Sequence, residues 1–141
     1  AGPDQKDEKK RLRVLVVEDE YVVSMTFKVQ LEALGCEVVG SARDADSGVE
    51  MAERLQPDLV LMDIGLRGRN GLDASREIMA RCPTDIIVVT AYGNDHAEDA
   101  LNAGARLVLT KPILEEQLAR AIAAIAGNRF TPPPDFSVEE L

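Results

Sequence analysis

Glu18, Asp19 and Glu20 stand together in this sequence, while Asp63, Thr90 and Lys111 stand apart, and each directly follows or closes a short apolar run. Were the runs before Glu18 and Asp63 to lie side by side, Glu18, Asp19 and Asp63 would crowd into one place. Two carboxylates about 4 Å apart repel by roughly 4 kcal/mol at an effective dielectric of about 20, so the cluster either raises a pKa or recruits a cation. An all-oxygen donor set selects a hard ion, Mg²⁺ above all, which keeps several waters and leaves room for a phosphoryl oxygen. Lys111 then adds a mobile positive charge and Thr90 a hydroxyl donor, a set suited to stabilising phosphoryl oxygens during transfer. Asp63 is the better nucleophile of the three acids, because it ends its run alone and faces a glycine-containing loop, 65–71, that leaves steric access. Glu18 and Asp19 are then the residues that hold the metal. The plain alternative, that acids after strands merely cap helices, suits 18–20 taken alone but not the whole set.

The elements that must position these residues follow from hydropathy. Runs rich in Val, Ile and Leu recur at 13–17, 37–41, 58–62, 86–90 and 106–109. They show little clean alternation, as expected of strands covered on both faces, which implies a parallel sheet flanked by helices. Helical spacing fills the gaps: Leu114, Leu118, Ala121, Ile122 and Ile125 share one face, as do Ala97, Ala100, Leu101 and Gly104. Gly35 and Gly104 sit where helices would end in a left-handed residue, and Asp44 and Asn94 or Asp95 are the expected N-caps of the second and fourth helices. Strict alternation with short loops predicts an α/β, flavodoxin-like doubly wound (βα)5 fold whose five parallel strands run in the order 2-1-3-4-5. Ligands of such sheets bind at the carboxyl ends of the strands, where the acids, Thr90 and Lys111 all fall.

The chain has 141 residues, 45% of them apolar, which suits one domain with one closed core. We expect a flexible lead-in at 1–12, a domain at 13–127 and a Pro-rich tail or linker at 128–141. Sixteen Lys and Arg against 25 Asp and Glu leave a net charge of −9, which repels phosphate backbones and excludes direct nucleic-acid binding. The longest apolar run, 121–126, is far short of the roughly 18 residues of a membrane span, so no membrane is expected and the cytoplasm is the expected location. Cys36 and Cys82 have no Cys-x-x-Cys spacing, and the lone His96 completes neither a zinc site nor a Cys/His pair, so both thiols are read as reduced and packed.

These residues carry a resemblance: over about 12–127 the chain resembles a bacterial two-component response-regulator receiver domain. Val14-Leu15-Val16-Val17-Glu18-Asp19 is similar to that family's first strand with its acidic pair, and Asp58-Leu59-Val60-Leu61-Met62-Asp63 to the strand ending in its phosphoacceptor. Gly71 resembles the glycine opening the third helix, Val88-Val89-Thr90-Ala91 the switch-threonine segment, Ala103-Gly104-Ala105 the bend before strand five, and Lys111-Pro112 the Lys-Pro end where the family typically has a cis peptide. The resemblance implies phosphoryl transfer from the phosphohistidine of a histidine kinase or histidine phosphotransfer protein to Asp63, with Mg²⁺ held by Glu18, Asp19, Asp63 and the backbone carbonyl of Gly65. It implies a signalling switch rather than an enzyme, with at most self-catalysed phosphorylation and dephosphorylation. An output domain or target protein reads the switch, and the surface of helix four, strand five and helix five often mediates homodimerisation in the family.

Two departures stand out. Val108 occupies the position where the family usually carries an aromatic switch residue. Tyr92, two residues past Thr90, either substitutes by swinging over the site or restricting water near the phosphoryl group, or is a half-exposed loop tyrosine. After Asp63 the family commonly has Met-Pro at the third and fourth positions, where this chain has Leu66-Arg67, followed by Gly68-Arg69-Asn70-Gly71. Arg67 and Arg69 are read as solvated loop arginines without an active-site role. Two other readings compete with the switch. A haloacid-dehalogenase-type phosphatase wants Asp-x-Asp after the first strand, which Glu18-Asp19-Glu20 lacks, and a receiver-fold interaction module that is never phosphorylated would fit the missing aromatic. No helix-turn-helix is present; a single-domain regulator is the preferred expectation, with an output domain beyond the polyproline tail as the other.

Overall fold

Runs of Val, Ile and Leu with apolar side chains on both faces can be buried only between two layers, and the computed structural model, which describes residues 11–91 and 96–133, places them there. The elements are β1 (Arg13–Val17), α1 (Tyr21–Ala33), β2 (Glu37–Ala42), α2 (Ala45–Leu55), β3 (Leu59–Asp63), α3 (Gly71–Arg81), β4 (Asp85–Thr90), α4 (Ala97–Asn102), β5 (Leu107–Thr110) and α5 (Glu115–Ala126), closed by a 3₁₀ turn, Gly127–Arg129. All strand pairs are parallel and the sheet order is β2-β1-β3-β4-β5, as the sequence predicts.

Successive side chains of a strand point to opposite faces, which divides the core in two. Val14 and Val16, Leu59 and Leu61, Ile87 and Val89 face Phe27 and Leu31 of α1 and Leu118 and Ile122 of α5. Leu15 and Val17, Val60 and Met62, Ile86 and Val88 face Val49 and Ala52 of α2, Ala74 and Ile78 of α3 and Ala100 of α4. Val108, the departure on β5, packs into this second layer. β3 runs one residue beyond the expected limit, so Asp63 is inside the ladder, in register with Val89 of β4.

The caps explain where the helices begin. Asp44 accepts from the Ser47 N–H at 2.8 Å, as its position predicts. Asn70, which sequence alone did not single out, accepts from the Leu72 and Asp73 N–H groups at 2.8 and 3.0 Å and so starts α3. α4 begins behind His96, whose side chain makes no capping bond; Tyr92, Asn94 and Asp95 lie outside the described residues. Gly35 and Gly104 both take positive φ, at 87° and 105°.

Packing continues past both ends of the expected domain. Leu12 and Phe130 are buried together in the α1/α5 layer, because the 3₁₀ turn folds the chain back after α5. Arg129 secures that turn with an ion pair to Asp85 at 2.8 Å. Among the described residues no helix is long and apolar enough to cross a membrane.

Candidate functional site

Adjacent parallel strands bring their carboxyl ends to one rim, and here that rim collects the acids. β1 pairs with β3 through Val17 and Met62, so Glu18 and Asp63 emerge side by side. Glu18 is held by its own backbone, whose N–H donates to the Ala42 carbonyl on β2 at 3.0 Å. Its side chain is fully enclosed: Oε2 accepts from the Glu20 N–H at 3.1 Å, while Oε1 is ion-paired with Lys111 Nζ at 3.0 Å. Asp63 is also buried. Its Oδ1 accepts from the Gly65 N–H at 3.1 Å, and its Oδ2 is 3.4 Å from Lys111 Nζ. Asp19 is more open and lies 3.6 Å, at Oδ2, from Arg67 Nε.

Lys111 reaches the acids because β5 lies beyond β4, with Thr90 level with Thr110 and the Lys111 N–H donating to the Thr90 carbonyl at 2.8 Å. The Lys111–Pro112 peptide is cis. Thr90 itself is buried at the end of β4. Gly71 sets the depth of the rim on the α3 side. A Cβ there would run into the Asp63 carbonyl oxygen, so only glycine lets the start of α3 approach the backbone of Asp63 so closely.

The electrostatics follow from burial. Burial pushes the Glu18 carboxyl up to about 7, against the opposing pull of the Glu20 N–H and of Lys111. Burial alone would lower Lys111, but Glu18 and Asp63 outweigh it and hold the ammonium above the ordinary lysine value. One carboxylate oxygen from each of Glu18, Asp19 and Asp63 lies within 4.8 Å of the others. This all-oxygen set of three carboxylates fits a hard divalent cation.

A cavity of about 250 Å³ opens over the rim, lined by Asp19, Asp63, Gly65, Thr90 and Lys111 together with Glu20 and His96. All six residues singled out from the sequence are therefore at one rim, five lining the cavity and Glu18 within 4.8 Å of the Asp19 and Asp63 carboxylates. His96 and Arg67 are the residues that sequence reading left aside. The signal for His96 was its place at the start of the helix after β4, whereas nothing local marks Arg67, whose partner is 48 positions earlier. Beside the rim, α1 exposes Tyr21, Val22, Met25 and Val29.

Residues 14–123 match the response regulator receiver domain family. The transcriptional regulatory protein PdtaR of Mycobacterium tuberculosis is 41% identical over 119 residues, which are 84% of this chain and 58% of that protein. A protein-glutamate methylesterase/protein-glutamine glutaminase of Paramagnetospirillum magneticum is 42% identical over 113 residues, 74% of this chain and 31% of that protein. The chain thus spans 31–58% of the length of these relatives. Among solved structures, the receiver domain of the sensor histidine kinase PA1611 of Pseudomonas aeruginosa, described with a magnesium ion coordinated in its active-site cleft, is 32% identical with a TM-score of 0.75, covering 84% of this chain and all of that one. With parallel strands in the order 2-1-3-4-5 and acids gathered at their carboxyl ends, this chain belongs to the response regulator receiver domain family.

Proposed function

We propose that this receiver is a phosphorylation-controlled switch in which Asp63 accepts a phosphoryl group from the phosphohistidine of a histidine kinase or histidine phosphotransfer protein. The observation that carries this reading is the placement of Lys111 Nζ between Glu18 and Asp63, at 3.0 and 3.4 Å, beside a third carboxylate and the buried Thr90. Glu18, Asp19, Asp63 and the Gly65 carbonyl would hold Mg²⁺, which when bound supplies the positive charge that a transferring phosphoryl group requires.

An Asp63 carboxylate oxygen attacks phosphorus as the P–N bond breaks, its electron pair remaining on the donor imidazole nitrogen. The Gly65 N–H holds Oδ1, leaving Oδ2, on the Lys111 side, as the attacking atom. Lys111 then exchanges carboxylate contacts for phosphoryl oxygens, and the Thr90 hydroxyl donates to the same group. Since Lys111 and Thr90 are bonded through their backbones, movement of either displaces the loops after β4 and β5 together, and that displacement is the signal. The signal is read by an output domain or a separate target. The exposed apolar face of α1 beside the rim is the surface on which the donor's domain docks, and a cytoplasmic donor sets a cytoplasmic location.

Incubation with acetyl phosphate and Mg²⁺, followed by acid quench and mass spectrometry, is expected to find one phosphoryl equivalent on Asp63. The adduct should vanish in Asp63→Asn and in EDTA. Absence of any adduct on the wild-type protein overturns the switch and favours the unphosphorylated interaction module.

A further inference from the structure

Arg67 stands four residues past Asp63, where the family commonly has proline, and the sequence assigns it no part in the site. Its Nε nevertheless lies 3.6 Å from Asp19 Oδ2. Arg69, on the same loop, pairs instead with Asp46 of α2 and Glu77 of α3, at 3.0 and 2.9 Å. The two arginines thus tie one loop to different neighbours, and only Arg67 turns to the acidic rim.

The charges at that rim divide unequally. Lys111 faces Glu18 and Asp63, while the ion pair given to Asp19 is the one with Arg67. Lys111 is 22% exposed and held by strand and loop, but Arg67 is 83% exposed and can swing away at little cost. A divalent cation placed among Glu18, Asp19 and Asp63 takes the Asp19 oxygens and repels the guanidinium facing them. We propose that Arg67 is an internal counter-ion of Asp19 that the incoming divalent cation displaces, so that it sets the cation affinity of the site. This rests on the cation-dependent reading of the site given above.

The pair is solvent-exposed, so its removal is worth about two- to fivefold in cation affinity, and the effect fades as salt shortens the Debye length below about 10 Å. Titration of the wild type, Arg67→Ala, Arg67→Gln and Arg69→Ala with MgCl₂ by isothermal calorimetry measures it, with thermal melts to show that each variant is folded. Both Arg67 variants are expected to bind Mg²⁺ about two- to fivefold more tightly at low ionic strength, converging on the wild type at high salt, while Arg69→Ala moves less. In the wild type, the side-chain Nε–H resonance of Arg67 should shift on saturation with Mg²⁺, and that of Arg69 should not. If the wild type binds Mg²⁺ but the Arg67 variants bind it equally or more weakly, the counter-ion role is wrong and the switch still stands. If the wild type takes up no Mg²⁺, the reading of the site fails and this inference with it.

Discussion

A carboxyl group withdrawn from water keeps its proton longer, and Glu18 is the clearest instance in this protein. The folded, metal-free domain holds a proton on Glu18 up to about pH 7, whereas the unfolded chain releases it near 4.5. Its contribution to stability is therefore full below 4.5 and lost as pH rises through about 7. Thermal melts in EDTA should show this decline, and Glu18→Gln should flatten it. Cation binding has the opposite dependence, because the ligand must be the carboxylate. Apparent Mg²⁺ affinity should fall as pH drops below about 7, with protons released on binding. Calorimetry at about pH 6.5 in buffers of different ionisation enthalpy measures that release directly. No dependence on buffer would mean that Glu18 is already ionised.

At the scale of elements, the junction between β3 and α3 carries the site, since it joins Asp63 to the first turn of a helix through one loop. Gly71 and Asn70 do separate work there. Gly71→Ala places a Cβ against the Asp63 carbonyl and should destabilise by about 1–3 kcal/mol, because backbone has to move. Asn70→Ala removes the acceptor for two helix N–H groups and should cost about 1 kcal/mol without changing the packing. Urea unfolding reads both. The variants should differ further in phosphorylation by acetyl phosphate, where Gly71→Ala, which displaces Asp63, loses more activity than its stability loss explains. Equal losses would place the two residues in the same purely structural role.

For the whole molecule, the two-layer core settles which apolar side chains are left exposed. α1 and α5 cover one face of the sheet, yet α1 turns Tyr21, Val22 and Val29 outward next to the rim. In the proposed function that surface receives the donor's domain, which a small phosphodonor does not need. Val22→Asp or Val29→Asp should therefore slow phosphorylation by a histidine kinase or phosphotransfer protein while leaving the rate with acetyl phosphate unchanged. Rates that fall equally with both donors would remove α1 from the docking surface.

Strand positions, sheet order, the Asp44 cap and the positive φ of Gly35 and Gly104 were legible in the sequence because they depend on local periodicity and on residue types with strong backbone preferences. The acids, Thr90 and Lys111 were legible for a related reason: parallel strands deliver their carboxyl ends to one edge, so residues that close strands must meet there. Which cation faces which acid was not legible. Lys111 between Glu18 and Asp63, Arg67 against Asp19, and Phe130 brought into the same core layer as Leu12 join residues far apart in the chain. Such pairings depend on strand register and loop path, which no short stretch of sequence contains, and only the assembled sheet with its crossing loops decided them.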